Sequence, residues 1–203
     1  PIHAQVKNAR ASDLLGRNLI FLAEANIYLG NTEQAIYLNK KAIDIYDYLV
    51  ELDPDNAEWQ LNAAKANMFA LSVIQPSNWT LENTTLAKTT HASLLKLISN
   101  DSTSKTNKQA LALLERLIAL AALANNDFEH AHFMIKSSYQ TIESIIADSK
   151  DQVALEMYAR IAESYGTILK SQGENSKAIT IWENTLKRIS SNSNTTFTIK
   201  PIK

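Results

Sequence analysis

One phrase limits what this chain can become. It consists of a turn residue, four mostly polar residues, a small Ala, and then apolar residues at helical spacing. It runs Gly30-Asn-Thr-Glu-Gln-Ala35 early in the chain and Gly173-Glu-Asn-Ser-Lys-Ala178 late, with a looser copy, Asn126-Asp-Phe-Glu-His-Ala131, between them. Glycine takes the left-handed conformation that ends a helix at little cost, so Gly30 and Gly173 each mark a helix stop. Ala35, Ala131 and Ala178 then let the following helix pack closely. These alanines lie 96 and 47 residues apart, which implies a period near 47 or 48 with one degenerate unit between the first two. The expectation is an all-α fold, a solenoid of about eight helices in four hairpins. Only four Gly and four Pro in 203 residues leave too few tight turns for an all-β alternative.

Taken in order, residues 1–8 read as a frayed lead-in and 9–189 as a single helical domain. The hairpins are expected at about 9–52, 56–99, 104–148 and 151–189. Leu15, Leu19, Leu22, Ala23 and Ile27 stripe the first helix. Pro54 stops the second, because it lacks an amide donor and disfavours helix at Asp53. Asn56 is placed to cap the third helix, and Pro76-Ser-Asn78 to break it and cap a fourth. That fourth helix, roughly Trp79 to Ser99, carries weak helix formers at Thr84, Thr85, Thr89 and Thr90, so part of it is expected as loop. Asn100 to Lys105 reads as a mobile connection. Ala110 to Leu123 is apolar nearly all round, which predicts a buried central helix. The Ser/Asn/Thr-rich segment 190–203 reads as a flexible tail.

Here the residues resemble tetratricopeptide repeats (TPR). Gly166, Gly173, Ala178, Trp182 and Leu186 stand where that family has its helix glycine, turn glycine, alanine, aromatic and large apolar residue. Leu22, Ala23, Gly30, Ala35 and Ala42 repeat the spacing in the first unit, and Asp127 to Ala131 do so in the third, with Asn126 for the turn glycine and Ser138 for the later alanine. The second unit keeps Trp59 and Ala63 and then departs. The family repeat is about 34 residues, so second helices longer than standard are expected here. The stretch Leu49 to Trp59 is also similar to helical repeats attached to bacterial membrane-linked regulators.

The resemblance implies a TPR-like superhelix whose first helices line a concave, partner-binding groove. The lining candidates are Arg17, Ile20, Glu24, Ile27 and Tyr28, then Gln60, Ala64, Asn67 and Met68. They continue with Arg116, Leu120 and Leu123, then Arg160, Glu163, Thr167 and Lys170. Where relatives that clamp chaperone carboxyl tails carry Lys, Asn and Arg, this chain has Ile20, Glu24, Leu113 and Leu117, which argues against that ligand.

Other chemistry is poorly supported. His130 and His132, two residues apart on a helix, point about 200° apart and make no metal pair. Asp53-Pro-Asp55 lacks the glycine and closing acid of a calcium loop, so it reads as a turn and a cap. With no Cys, no phosphate-cradling glycine loop and no Gly-x-Ser-x-Gly, no enzyme and no cofactor are expected. Four Asn-x-Ser/Thr sequons, at Asn78, Asn83, Asn100 and Asn194, fit chance in an Asn-rich chain. A net charge of −1 and dispersed basic residues argue against direct nucleic-acid binding. The stretch Ala110 to Ala124 is too short for membrane insertion. No signal peptide is visible, the missing Cys leaves cytoplasm and bacterial periplasm both open, and the start at Pro1 suggests an excised piece of a longer protein.

The leading functional expectation is a non-catalytic protein-interaction module that binds a peptide or helix of another protein in the groove. The alternative is a sensory or self-association domain of a larger regulator, pairing through the Leu-rich face from Leu113 to Leu123.

Overall fold

The computed structural model describes residues 2–147 and 151–192. Among these residues there are eight α-helices and no strand: α1 Ile2–Tyr28, α2 Thr32–Leu52, α3 Ala57–Ser72, α4 Leu81–Asn100, α5 Lys105–Ala124, α6 Phe128–Ile146, α7 Gln152–Ser171 and α8 Asn175–Asn192. A single 3-10 turn, Pro76–Asn78, lies between α3 and α4. Each helix packs on the next along the chain, an arrangement consistent with an all-α helical-repeat fold. The first helices of the pairs also meet in series, α1 on α3, α3 on α5 and α5 on α7, and among the second helices α8 reaches α6 through Arg188, which donates to the Ile146 carbonyl at 3.4 Å.

Three of the four pairs turn in the same way. Gly30, Asn126 and Gly173 take φ of 78°, 61° and 79°. At each turn the amide of the third residue past the helix reaches back five residues: Asn31 N to the Asn26 carbonyl at 2.8 Å, Asp127 N to Ala122 at 2.9 Å, Glu174 N to Leu169 at 2.9 Å. This left-handed cap closes the connection in three residues. Asn126 can stand in for glycine because its short polar side chain tolerates that backbone. Five residues after each left-handed residue comes Ala35, Ala131 or Ala178, all almost wholly buried.

The second pair departs, and for a physical reason. Pro76 has no amide to donate and pushes Gln75 out of the helical region, so the chain crosses residues 73–80 through the 3-10 turn instead. The position midway between Ala35 and Ala131 is Asn83, which caps rather than packs: Thr80 N donates to Asn83 Oδ1 at 2.9 Å and Asn83 N to Thr80 Oγ1 at 3.3 Å. This capping box moves the start of α4 to Leu81, past the Pro76-Ser-Asn78 cap expected from sequence. Helix α4 is then continuous, because Thr84 and Thr85 turn their hydroxyls onto the carbonyls of Thr80 and Leu81.

Other boundaries also move. Helix α1 begins at Ile2 and takes in the expected lead-in, whose Ala4, Gln5 and Lys7 are good helix formers. The connection before α5 is an ordered turn, with Asp101 Oδ1 accepting from Thr103 N at 3.0 Å and Ser104 capping the helix. Residues 148–150 and 193–203, including most of the expected tail, lie outside the described residues. As expected from its composition, α5 is the most enclosed helix, touching α3, α4, α6, α7 and the 3-10 turn.

Polar ties fix neighbours. Asp13, 5% exposed, accepts from Tyr46 Oη at 3.3 Å and Asn62 Nδ2 at 3.4 Å, joining α1, α2 and α3. Asn39 donates to the Ala66 carbonyl at 2.9 Å, Ser138 to that of Ala112 at 2.6 Å, and the hydroxyls of Tyr139 and Tyr158 meet at 2.7 Å.

Large residues on one helix face small ones on its mate. Ala23, Leu71, Ala119 and Gly166 fall at matching positions of the first helices, and Asn39, Ala87, Ile135 and Trp182 at matching positions of the second. In the last pair a Cβ on Gly166 would lie 2.2 Å from the Trp182 ring. Gly166→Ala should therefore cost up to about 2 kcal/mol: overpacking removes ~1–3 and helix propensity returns ~1. In a Trp182→Leu background the same change should turn stabilising. Urea denaturation of the four proteins checks this, and an unchanged sign would remove the contact as the cause.

Tyr46 and Tyr139 have pKa values raised well above the usual tyrosine range. Burial is the main cause for both, with the Asp13 carboxylate next for Tyr46 and the Tyr158 hydrogen bond next for Tyr139. Unfolded tyrosines ionise near ~10, so above that pH the folded chain holds more protons than the unfolded one. Stability should be complete below pH ~10 and fall as pH rises further. Tyr46→Phe with Tyr139→Phe should flatten that fall, measured as urea midpoints between pH ~8 and ~11.

Candidate functional site

Because the first helices meet in series, their shared surface holds an open cleft of about 420 Å³. Helix α1 contributes Glu24, α3 contributes Lys65, Met68, Phe69 and Ser72, and α5 runs along the middle with Leu113, Arg116 and Leu117. Met157 and Arg160 come from α7. The floor is apolar and rich in Met, an adaptable packing surface. Around it stand three cations and one carboxylate.

The electrostatics are uneven. Arg116 Nε donates to Ser164 Oγ at 2.7 Å and to the Arg160 carbonyl at 3.3 Å, both neutral acceptors. Burial lowers the Arg116 pKa, with Glu163 opposing that shift and Arg160 adding to it. Among the described residues, Lys65, Arg116 and Arg160 form no ion pair within 4.0 Å. The Glu24 carboxyl keeps one side open to water, yet desolvation raises its pKa while Lys65 pulls it partly back. Such a cleft can hold an apolar chain and offer a partly desolvated guanidinium to a carboxylate.

Of the groove candidates read from sequence, Glu24, Met68, Arg116 and Arg160 come together here. Arg17 does not join them. It is held by Asp13 Oδ2 at 2.7 Å and Glu58 Oε1 at 3.1 Å, an ion-pair tie between α1 and α3. Gln60, Ala64 and Asn67 line a small outer cleft with Val50, Thr89, Thr90 and Ser93 of α2 and α4, and Gln60 Nε2 donates to the Pro54 carbonyl. Tyr28 is 85% exposed at the end of α1. Glu163, Thr167 and Lys170 are exposed on α7 outside the cleft.

Lys65, Phe69 and Met157 were missed. The signal for the first two was present, since stepping 48 residues from Arg17 and Phe21 lands on Lys65 and Phe69. Asn67 lies two residues from Lys65, about 200° around the helix, so a register shifted by two positions selects the wrong face. Leu113 and Leu117, which break the cationic clamp, form part of the apolar floor.

Among the described residues no group of three His, Asp or Glu stands close enough to hold a metal, and no helix is long and apolar enough to cross a membrane. Compared with protein-family models and with curated proteins, the chain finds no match in either.

Proposed function

We propose that this chain is a TPR-like protein-interaction module without catalytic activity. It takes into the cleft over α1, α3, α5 and α7 an apolar segment of another protein that carries an Asp or Glu. The observation that supports this reading most is the apolar floor ringed by Lys65, Arg116 and Arg160 with only Glu24 in opposition. The favoured occupant is an internal segment rather than a C-terminal tail, because Leu113 and Leu117 replace the cations that would hold a terminal carboxylate. Peptides selected by phage display should be apolar with one or two acidic residues. They should bind a Lys65→Glu/Arg160→Glu variant at least about tenfold more weakly, as loss of charge-assisted contacts implies. Arg160 is exposed, and Lys65 is half-buried without an ion pair among the described residues, so the melting temperature should hold. Selected peptides that bind the variant as well as the parent would sink the cleft reading. Arg116→Glu is the poorer test, since it also breaks the tie to Ser164.

The second reading, self-association within a larger bacterial regulator, has to change its surface. Leu114 is fully buried, and Leu113, Leu117 and Leu123 pack on the core, because five elements surround α5. Helix α1 instead carries four exposed apolar side chains close in sequence, Leu14, Leu15, Phe21 and Leu22, each 49–65% exposed. Under this reading light scattering across a concentration series should show a dimer that Leu15→Glu/Leu22→Glu abolishes. A monomer throughout removes it.

A further inference from the structure

The irregular second pair leaves a consequence on its far side. Where α4 lacks the packed alanine and starts late, a second cavity of about 290 Å³ opens between α4, α5 and the start of α6. It is separate from the cleft and shares no residue with it. Buried Ala87, Ile118, Ala121 and Met134 form its floor, and the Trp79 ring supplies a wall. The exposed rim carries Lys88, which forms no ion pair within 4.0 Å among the described residues.

We propose that this cavity is a binding site for a small aromatic carboxylate, its rings on the alanine floor against Trp79 and its carboxylate at Lys88. Size, shape and charge each bear on the ligand. An apolar cavity of roughly 150 Å³ accepts benzene, so one about twice that volume takes a two-ring body. Ala87 on α4 and Ala121 and Ala122 on α5 put small side chains along two helices of the lining, which leaves a slot suited to a flat molecule beside the Trp79 ring. The Trp79 indole N–H is buried without a hydrogen-bond partner in the protein, an in-plane donor at the edge of the wall. Sites of this kind bind through apolar contact and a few placed polar groups; here the Lys88 ammonium is free of ion pairs among the described residues, whereas the Asp127 carboxylate in the same lining is engaged in capping α6, accepting from His130 N at 3.1 Å. His91, on the same wall, is fixed from behind by the buried Glu115 carboxylate at 3.3 Å, which ties α4 to α5 across the cavity.

The test uses 1-naphthaleneacetate as probe and 1-naphthalenemethanol as its neutral counterpart. The acid should bind saturably by calorimetry, raise the melting temperature and perturb a fluorescence signal that Trp79→Phe removes. Lys88→Gln should weaken the acid about tenfold and leave the alcohol unchanged. Ala121→Leu, which fills the floor, should abolish both. If that variant does not fold, Thr84→Phe at the mouth blocks entry from the solvent side. The Lys65→Glu/Arg160→Glu variant should bind the probe normally, which keeps this site distinct from the cleft. No saturable binding at millimolar probe, binding that survives the blocking variants, or an alcohol that binds as well as the acid would each overturn the proposal.

Discussion

The packing of this chain depends on a backbone conformation that L-residues rarely adopt. At Gly30, Asn126 and Gly173 the chain turns through positive φ, and the reversed hydrogen bonds of that cap bring the next helix back within three residues. A connection so short leaves the second helix no freedom of distance. It must press against the first along its opening turn, and only a side chain as small as Ala35, Ala131 or Ala178 fits there. The turn and the alanine are therefore one device. Losing either should loosen the other, and the second pair has lost both, with Asn78 followed by Trp79 where the turn would fall and Asn83 where the alanine would stand.

The consequences of that loss stay local. Connection 73–80 is longer, α4 is held by its own capping box, and its contact with α5 passes through the His91–Glu115–Ser137 cluster as well as through apolar packing. Burying Glu115 is tolerable because two side chains reach its Oε1, although its Oε2 stays buried without a partner. The tight pairs spend their polar groups differently, each joining helix to helix: Asn39 to Ala66, Ser138 to Ala112, Gln172 to Phe128. Such ties add directional register to packing that is otherwise non-directional.

Much of this was legible because the governing signals are local. A positive-φ turn needs Gly or Asn, a cap needs Asn, Asp, Ser or Thr, and an apolar stripe shows its period within one helix. Hence α2, α3, α5 and α6 and the enclosed place of α5 could be read in advance. What failed depended on rotation or on competition between neighbours. Thr80 and Pro76 could each have governed the start of α4, and only the reciprocal bonds with Asn83 decide it. Gln60 and Asn67 were sought in the groove from a register two residues off, although the 48-residue step from Arg17 points to Lys65. Arg17 itself gave no hint that Asp13 and Glu58 would hold it. The Leu-rich stretch could not show by itself that α5 would be enclosed by α3, α4, α6 and α7, with Leu114 buried and Leu113 and Leu117 on the cleft floor.

The two candidate surfaces thus have opposite origins. The cleft follows from regularity: three close turns hold the pairs tightly enough that α1, α3, α5 and α7 meet in series, and a shared face appears with α5 at its centre. The cavity follows from irregularity, at the one pair where close packing is released. Close-packed interiors leave few voids larger than a water molecule, and this space escapes that limit because it opens to solvent at the Lys88 rim. Filling it by mutation would be easy, since an alanine floor needs only one larger side chain. Helix α5 carries one wall of each, the cleft on Leu113, Arg116 and Leu117 and the cavity on Ile118, Ala121 and Ala122. A ligand that wedged α4 away from α5 would push on the helix that also lines the cleft, so a single rigid element physically connects the two sites.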